Sequence, residues 1–263
     1  MSKRLEIMNA FYNGVNEDAR LNKSRHGQLE FETTMSYIHR FTKDRDKILE
    51  IGAGTGKYSI TLAKEGYEVT AIELVEHNLE ILRNNSRELK SLLALQGDSL
   101  NLSLFSDNKF DVTLVFGPLY HLYNQLEVHK AIDEAIRVTK KGGVILVAFL
   151  SVYSIMYSNY LQGNLEAGLN ENYTLDYQVK HFEEQLFTGY DIVEFEQLFL
   201  HKDVKYITTV AVDNVLELAE ERNDFKMSDE EFNLFTKYHF ATCEKRELLG
   251  TSNHLLYICR KIK

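Results

Sequence analysis

Cysteine, proline and basic charge are all scarce in this chain, and each scarcity closes off a class of protein. Cys243 and Cys259 are the only cysteines. Without a Cys-x-x-Cys spacing they make neither a disulfide framework nor a zinc site, so no metal is expected and a reducing, cytoplasmic setting is. Pro118 is the only proline, which leaves no proline-rich hinge between two domains. Lys and Arg number 30 against 39 Asp and Glu, a formal net charge of −9. That balance argues against a broad phosphate-binding surface and so against a nucleic-acid partner. No apolar run approaches the ~20 residues of a membrane span, and the first residues lack the apolar stretch of a signal peptide. Neither a membrane partner nor export is expected. With 44% hydrophobic and 26% charged residues, the 263-residue chain has material for one packed core. Nothing in the sequence sets the oligomeric state.

What is present is concentrated in residues 47–59, Lys-Ile-Leu-Glu-Ile-Gly-Ala-Gly-Thr-Gly-Lys-Tyr-Ser. A short apolar run, three alternating glycines and a helix-compatible continuation describe a strand turning sharply into a helix. Gly52, Gly54 and Gly56 carry no Cβ, so a ligand can press against backbone N–H groups beside the positive helix end. An acid about 20 residues further on, here Glu73, suits a ribose diol at the end of the next strand. A P-loop would need glycine where Ile51 stands and Ser or Thr where Tyr58 stands. A dinucleotide fold would want its third glycine where Lys57 stands. The spacing points to a nucleoside-cofactor site and fits neither of those patterns fully; a tight turn with no ligand is the alternative.

The elements alternate. Residues 5–20 and 28–41 read as helices joined by a polar segment at 21–27. Strands are expected at 48–51, 68–72, 92–95, 110–116 and 144–150, with helices at 57–65, 75–89 and 126–139. The basic-plus-glycine run 140–143 reads as the stop of the last helix. Further on, 153–161 reads as a short helix, 162–174 as a polar loop, 191–200 as a helix, and 204–212 and 255–259 as strands. Ser228 opens a capping box closed by Glu231, ahead of a helix with Phe232, Phe235 and His239 on one face. The fold class is α/β: a doubly wound, mostly parallel, seven-stranded Rossmann-like sheet with N-terminal helices and a cap insertion. One domain is expected over 1–263, with a helical lid at 1–45, a cofactor-binding core at 46–150, a cap at 151–190 and the rest of the sheet in 191–263.

The motif Glu-x-Gly-x-Gly-x-Gly, with Glu73 and the acid of Gly97-Asp98-Ser99 in register behind it, resembles the class I S-adenosylmethionine-dependent methyltransferases of bacterial small-molecule type. The resemblance runs from about residue 46 to 150. It implies S-adenosylmethionine as cofactor, with S-adenosylhomocysteine as product, and a small-molecule methyl acceptor. It implies a cofactor site made of Gly52, Ala53, Gly54, Gly56 and Tyr58, with Glu73 and Leu74 at the ribose. Asp98 and Ser99 would serve the adenine, and Phe116 and Gly117 would border the methionine part. Residues 117–122, Gly-Pro-Leu-Tyr-His-Leu, depart from the Asn-Pro-Pro-Tyr segment of enzymes that methylate base amines.

Pro118 fixes the path of that segment, which makes Tyr120 and His121 the best-placed polar side chains for catalysis. His121 is a candidate base because an imidazole titrates near neutral pH; the alternative is a hydrogen bond within its own loop. Tyr120 lines the pocket on either reading. Tyr12, Arg20, Arg25 and His26 are candidates to face the site from the lid, and Tyr153 and Tyr157 to wall the substrate from the cap; as caps, ion pairs and packing they would serve the fold instead. A nucleic-acid or protein methyltransferase, a nicotinamide-dependent oxidoreductase and a non-enzymatic nucleotide-binding module are the other readings.

Overall fold

A computed structural model describes residues 3–14, 20–161 and 163–263. Its centre is a sheet built from β1 (Lys47–Ile51), β2 (Glu68–Glu73), β3 (Leu92–Gln96), β4 (Phe110–Val115), β5 (Thr139–Ser151), β7 (Val204–Ala211) and β8 (His254–Lys261). A two-residue β6 (Gly189–Tyr190) pairs with the end of β5 off the main path. The order is β3-β2-β1-β4-β5-β8-β7. β1 to β5 run parallel, whereas β8 lies antiparallel to β5, and β7 to β8. The expected seven-stranded, mostly parallel sheet is what forms, with β6 as an addition.

Alternation along the central strands divides the core between the two faces of this sheet. Leu49, Ile51, Ile145, Val147 and Phe149 pack on one side. Ile48, Val112, Leu114, Val144 and Leu146 pack on the other. The strand order reverses between β1 and β4, so a crevice opens at the carboxyl ends of those two strands. The glycine turn after β1 lies there.

Four expectations change. The helix expected over 5–20 is Lys3–Tyr12; residues 15–19 lie outside the described residues. The polar segment at 21–27 is helical, in a short helix Arg20–Lys23 and the start of a long one, Arg25–Phe41. Ser24 separates them as an N-cap whose Oγ accepts from Gly27 N–H at 3.1 Å, a capping role that its polar neighbours disguised. The 140–143 run does not stop a helix. Helix Gln125–Val138 ends at Thr139, whose hydroxyl donates to Ala135 O at 2.6 Å. Lys140 to Gly143 then form a bulge in β5, where the pairing slips between Phe110 and Val112. The polar loop at 162–174 contains a helix, Leu165–Asn172, held by tertiary packing: a Cβ on Gly168 would lie 2.3 Å from the Tyr160 ring. Short helices Leu216–Glu220 and Arg246–Leu249 had no counterpart in the sequence reading.

Candidate functional site

A cavity of about 590 Å³ opens over the crevice. Its floor is the glycine turn, and the three glycines do different things there. Gly52 has φ +81°, and a Cβ on it would lie 2.3 Å from Phe116 O and 2.6 Å from Pro118 Cδ. It lets the turn pack against the segment after β4. Gly56, the N-cap of helix Lys57–Lys64, has φ +92°, and its Cβ would lie 2.1 Å from Leu82 Cδ1. It serves packing and does not line the cavity. Gly54 has φ +55°, lines the cavity, and has nothing within 4 Å of its Cβ position. Only there is bare backbone presented to open space.

Glu73 ends β2 with a buried side chain fixed at both oxygens. Gly54 N–H donates to Oε2 at 2.7 Å and Val75 N–H to Oε1 at 2.8 Å. The turn and the acid thus hold each other in place. Ala53, Tyr58, Leu74, Asp98, Ser99, Phe116 and Gly117 also line the cavity. Tyr58 stacks on Phe31 at 5.3 Å and meets Phe116 edge-on at 5.2 Å. Asp98 accepts from Leu100 N–H at 3.0 Å and is paired with Arg4. Glu50, inside the glycine motif, also lines the cavity and is buried against the hydroxyl of Ser59. Burial is the main cause that pushes its carboxyl up to about 8.

The lid and loop candidates separate. Tyr12, Tyr120, His121 and His26 line the cavity. His121 is 3% exposed, with Nδ1 2.7 Å from Leu186 O and Nε2 3.0 Å from the Tyr12 hydroxyl. Nδ1 therefore donates, and Nε2 accepts from Tyr12. Burial pulls this imidazole down to about 4, with the nearby Arg4 charge acting the same way, so it is neutral at pH 7. His26 is paired with Glu220. Arg25 turns away to Asp229 and sits 4.8 Å above the Phe232 ring. The Arg20 side chain lies outside the described residues. Tyr153 and Tyr157 line a second cavity with Tyr173 and Tyr177, where the Tyr153 hydroxyl donates to Asp191; Tyr160 is the cap tyrosine that reaches the main one.

Sequence reasoning missed a polar group near Tyr120, whose ring centroid lies 6.4 Å from that of His254. Glu30, Asp213 and His254 bring one ligand-type atom each within 4.8 Å of one another, a grouping not foreseen when no metal was expected. Glu217 is 3.9 Å from the same His254 nitrogen. These residues come from three distant parts of the chain, so no local spacing could have signalled them.

Residues 49–147 match the sequence model of the methyltransferase domain family. Together with the turn, the acid at the end of β2 and the sheet order, that match marks a methyltransferase domain over those residues. The chain carries a class I methyltransferase domain. Similar curated proteins include a demethylmenaquinone methyltransferase of Paenarthrobacter aurescens, 35% identical over 127 residues, which are 46% of this chain and 47% of that protein. Another, from Staphylococcus aureus, is 31% identical over 165 residues, 55% of this chain and 66% of that one. The chain spans about half the length of the first of these. Among solved structures, a protein from Pyrococcus horikoshii aligns with a TM-score of 0.61 at 17% identity, covering 96% of this chain and 98% of that one. A SAM-dependent methyltransferase from Methanosarcina mazei aligns with a TM-score of 0.56 at 16% identity, covering 86% and 97%. At those identities the structures establish the methyltransferase domain's fold, not its substrate. No helix among the described residues is long and apolar enough to cross a membrane.

Proposed function

We propose that this chain is an S-adenosylmethionine-dependent methyltransferase that methylates a small molecule. The observation that carries the reading is the mutual fixing of Glu73 and Gly54: a buried carboxylate held by two backbone N–H groups beside the one glycine of the turn's three whose Cβ position is open. These residues fit the cofactor. Glu73 would accept from the ribose hydroxyls, Asp98 and Ser99 would meet the adenine, and the backbone from Gly52 to Gly54 would run along the methionine part. When bound, the cofactor supplies a methyl group on a positively charged sulfur.

The chain's own contribution is alignment and exclusion of water. Helix Lys3–Tyr12 acts as a lid, tied down by Arg4 on Asp98, Tyr12 on His121 and Phe11 edge-on to Phe187. His121 is a positioning residue: with Nδ1 on Leu186 O and Nε2 on Tyr12, it joins the turn after β4 to lid and cap. Tyr120 lines the wall beside it. A small acceptor is supported by the cover from lid and cap, and by relatives named for a small-molecule acceptor. Acidic groups beside Tyr120 disfavour nucleic acid.

Calorimetric titration with S-adenosylhomocysteine, beside NADH and beside Glu73→Ala, tests this. Micromolar binding that the substitution weakens, with none for NADH, is the expected result. Binding of NADH in place of the thioether would overturn it.

A further inference from the structure

The second cavity, in the cap, has a chemistry that the cofactor site does not use. It holds about 790 Å³, inside the roughly 300–1,000 Å³ range of small-molecule sites. Four tyrosines line it: Tyr153 from helix Val152–Ile155, Tyr157 from the π-helical turn Met156–Tyr160, and Tyr173 and Tyr177 from the loop after helix Leu165–Asn172. Two carboxylates, Asp191 and Glu194, stand at the start of helix Ile192–Gln197. Leucine, valine, methionine and glutamine side chains fill the rest of the wall, Leu165 and Leu169 among them. Among the described residues, no lysine, arginine or histidine lines it.

The carboxylates of this wall already have partners. Asp191 Oδ1 accepts from Val193 N–H at 2.8 Å and Glu194 N–H at 3.1 Å, and its Oδ2 accepts from the Tyr153 hydroxyl. Glu194 lies 2.9 Å from His181 Nε2. What the wall still offers is ring faces and negative charge. The bond to Asp191, then burial, then the charges of Asp191, Tyr173 and Tyr157 raise the Tyr153 phenol above its ordinary range. Burial, then Tyr157 and Asp191, raise Tyr173 as well. These groups stand within electrostatic range of one another, and surroundings that resist a further negative charge attract a positive one.

That combination selects among ligands. A primary ammonium brings three N–H donors that must be met once water is stripped away, and the carboxylates here are engaged. A quaternary ammonium carries its charge under methyl groups, needs no acceptor, and packs on ring faces and aliphatic side chains alike. A neutral hydrocarbon would fill the apolar wall and gain nothing from the carboxylates. The π-helical turn keeps the site apart from the main cavity. Tyr157 lines the second cavity, whereas Asn159 and Tyr160 line the first. Behind them Asn172 Nδ2, on the side of the first, reaches Met156 Sδ, on the side of the second, at 3.8 Å.

We propose that the cap cavity binds a quaternary ammonium ion carrying an apolar chain, the charged end among Tyr153, Tyr157 and Tyr173 beside Asp191 and the chain along Leu165 and Leu169. This goes beyond the methyltransferase reading and does not depend on it.

The test is calorimetry on the full chain with hexyltrimethylammonium, beside hexylamine and 1-hexanol, each with and without S-adenosylhomocysteine. The quaternary ion should bind about tenfold more tightly than 1-hexanol, a difference of about 1.4 kcal/mol, and about threefold more tightly than hexylamine. Asp191→Asn keeps a side chain that caps the helix and should remove most of the preference over hexanol. Tyr157→Leu should weaken the ion by about threefold or more, whereas Tyr157→Phe, which keeps the ring, should stay within about twofold. Equal binding of the ion and hexanol, hexylamine binding as tightly as the ion, or a preference untouched by both Asp191→Asn and Tyr157→Leu would each overturn the proposal. Displacement of the ion by S-adenosylhomocysteine would overturn it too, by putting the ion in the main cavity.

Discussion

The two ends of the cavity are made differently. The cofactor end comes from one stretch, residues 50–117, and works through backbone: a turn, two N–H groups on Glu73, a glycine with open space before it. The opposite end is side-chain work by Glu30, Glu217 and His254, which helix Arg25–Phe41, helix Leu216–Glu220 and the start of β8 carry in from afar. Backbone geometry dictated by adjacent residues can be read from spacing. A constellation gathered by the fold cannot. The difference also predicts how each end breaks: the first should fail through strain and lost cofactor binding, the second through lost selectivity with the fold intact.

The sharpest break is Gly52→Ala. Its Cβ would strike Phe116 O and Pro118 in a left-handed backbone, so about 3 kcal/mol or more of stability should go, read as a fall of several degrees in Tm. Gly54→Ala meets no atom, and only the ~1 kcal/mol of its positive φ should be lost, while thioether binding suffers. Comparing the two by thermal melting separates strain from ligand contact. Next in size, Glu73→Ala should weaken S-adenosylhomocysteine by about 100-fold in calorimetry, about 2.7 kcal/mol.

Titration gives the middle of the scale. The Glu50 carboxyl is raised from 4.5 to about 8, so the folded state holds a proton that the unfolded state releases. Its stabilisation is complete below pH 4.5 and is lost as pH rises through 8. Glu50→Gln should therefore gain Tm relative to the parent above pH 8 and not at pH 4.5. His121 has the opposite sign. Its imidazole is lowered from 6.5 to about 4, so its contribution is present above 6.5 and lost as pH falls towards 4. His121→Asn should flatten the acid side of the Tm profile, in part only, because His239 is lowered to about 4 for the same reason, burial. The smallest effect belongs to Tyr153→Phe. Tyr153 lines the second cavity, so cofactor binding should stay within about twofold and stability should drop by about 1 kcal/mol with the bond to Asp191.

Much of the sheet was legible because its strands are apolar runs set off by glycine, and Glu73 because it ends β2, the strand beside the one that leads into the turn. Individual glycines were less so: spacing groups Gly52, Gly54 and Gly56, yet only the fold shows that Gly56 faces Leu82 and Gly54 faces the cavity. Tyr12 was picked out by polar company, but its partner His121 lies 109 positions away. Tyr153 and Tyr157 were picked out by their place in the cap, and nothing in the sequence showed that Tyr160 would reach the main cavity in their stead. The 140–143 run misled because lysine followed by glycine ends helices and shapes bulges alike.

The central claim is that a nucleoside thioether sits on the turn after β1 with its ribose on Glu73. A crystal structure of the chain with S-adenosylhomocysteine tests it most directly. The account predicts ribose hydroxyls within hydrogen-bond distance of Glu73, adenine beside Asp98 and the sulfur facing Tyr120. A thioether bound elsewhere, or one that leaves Glu73 untouched, would contradict it.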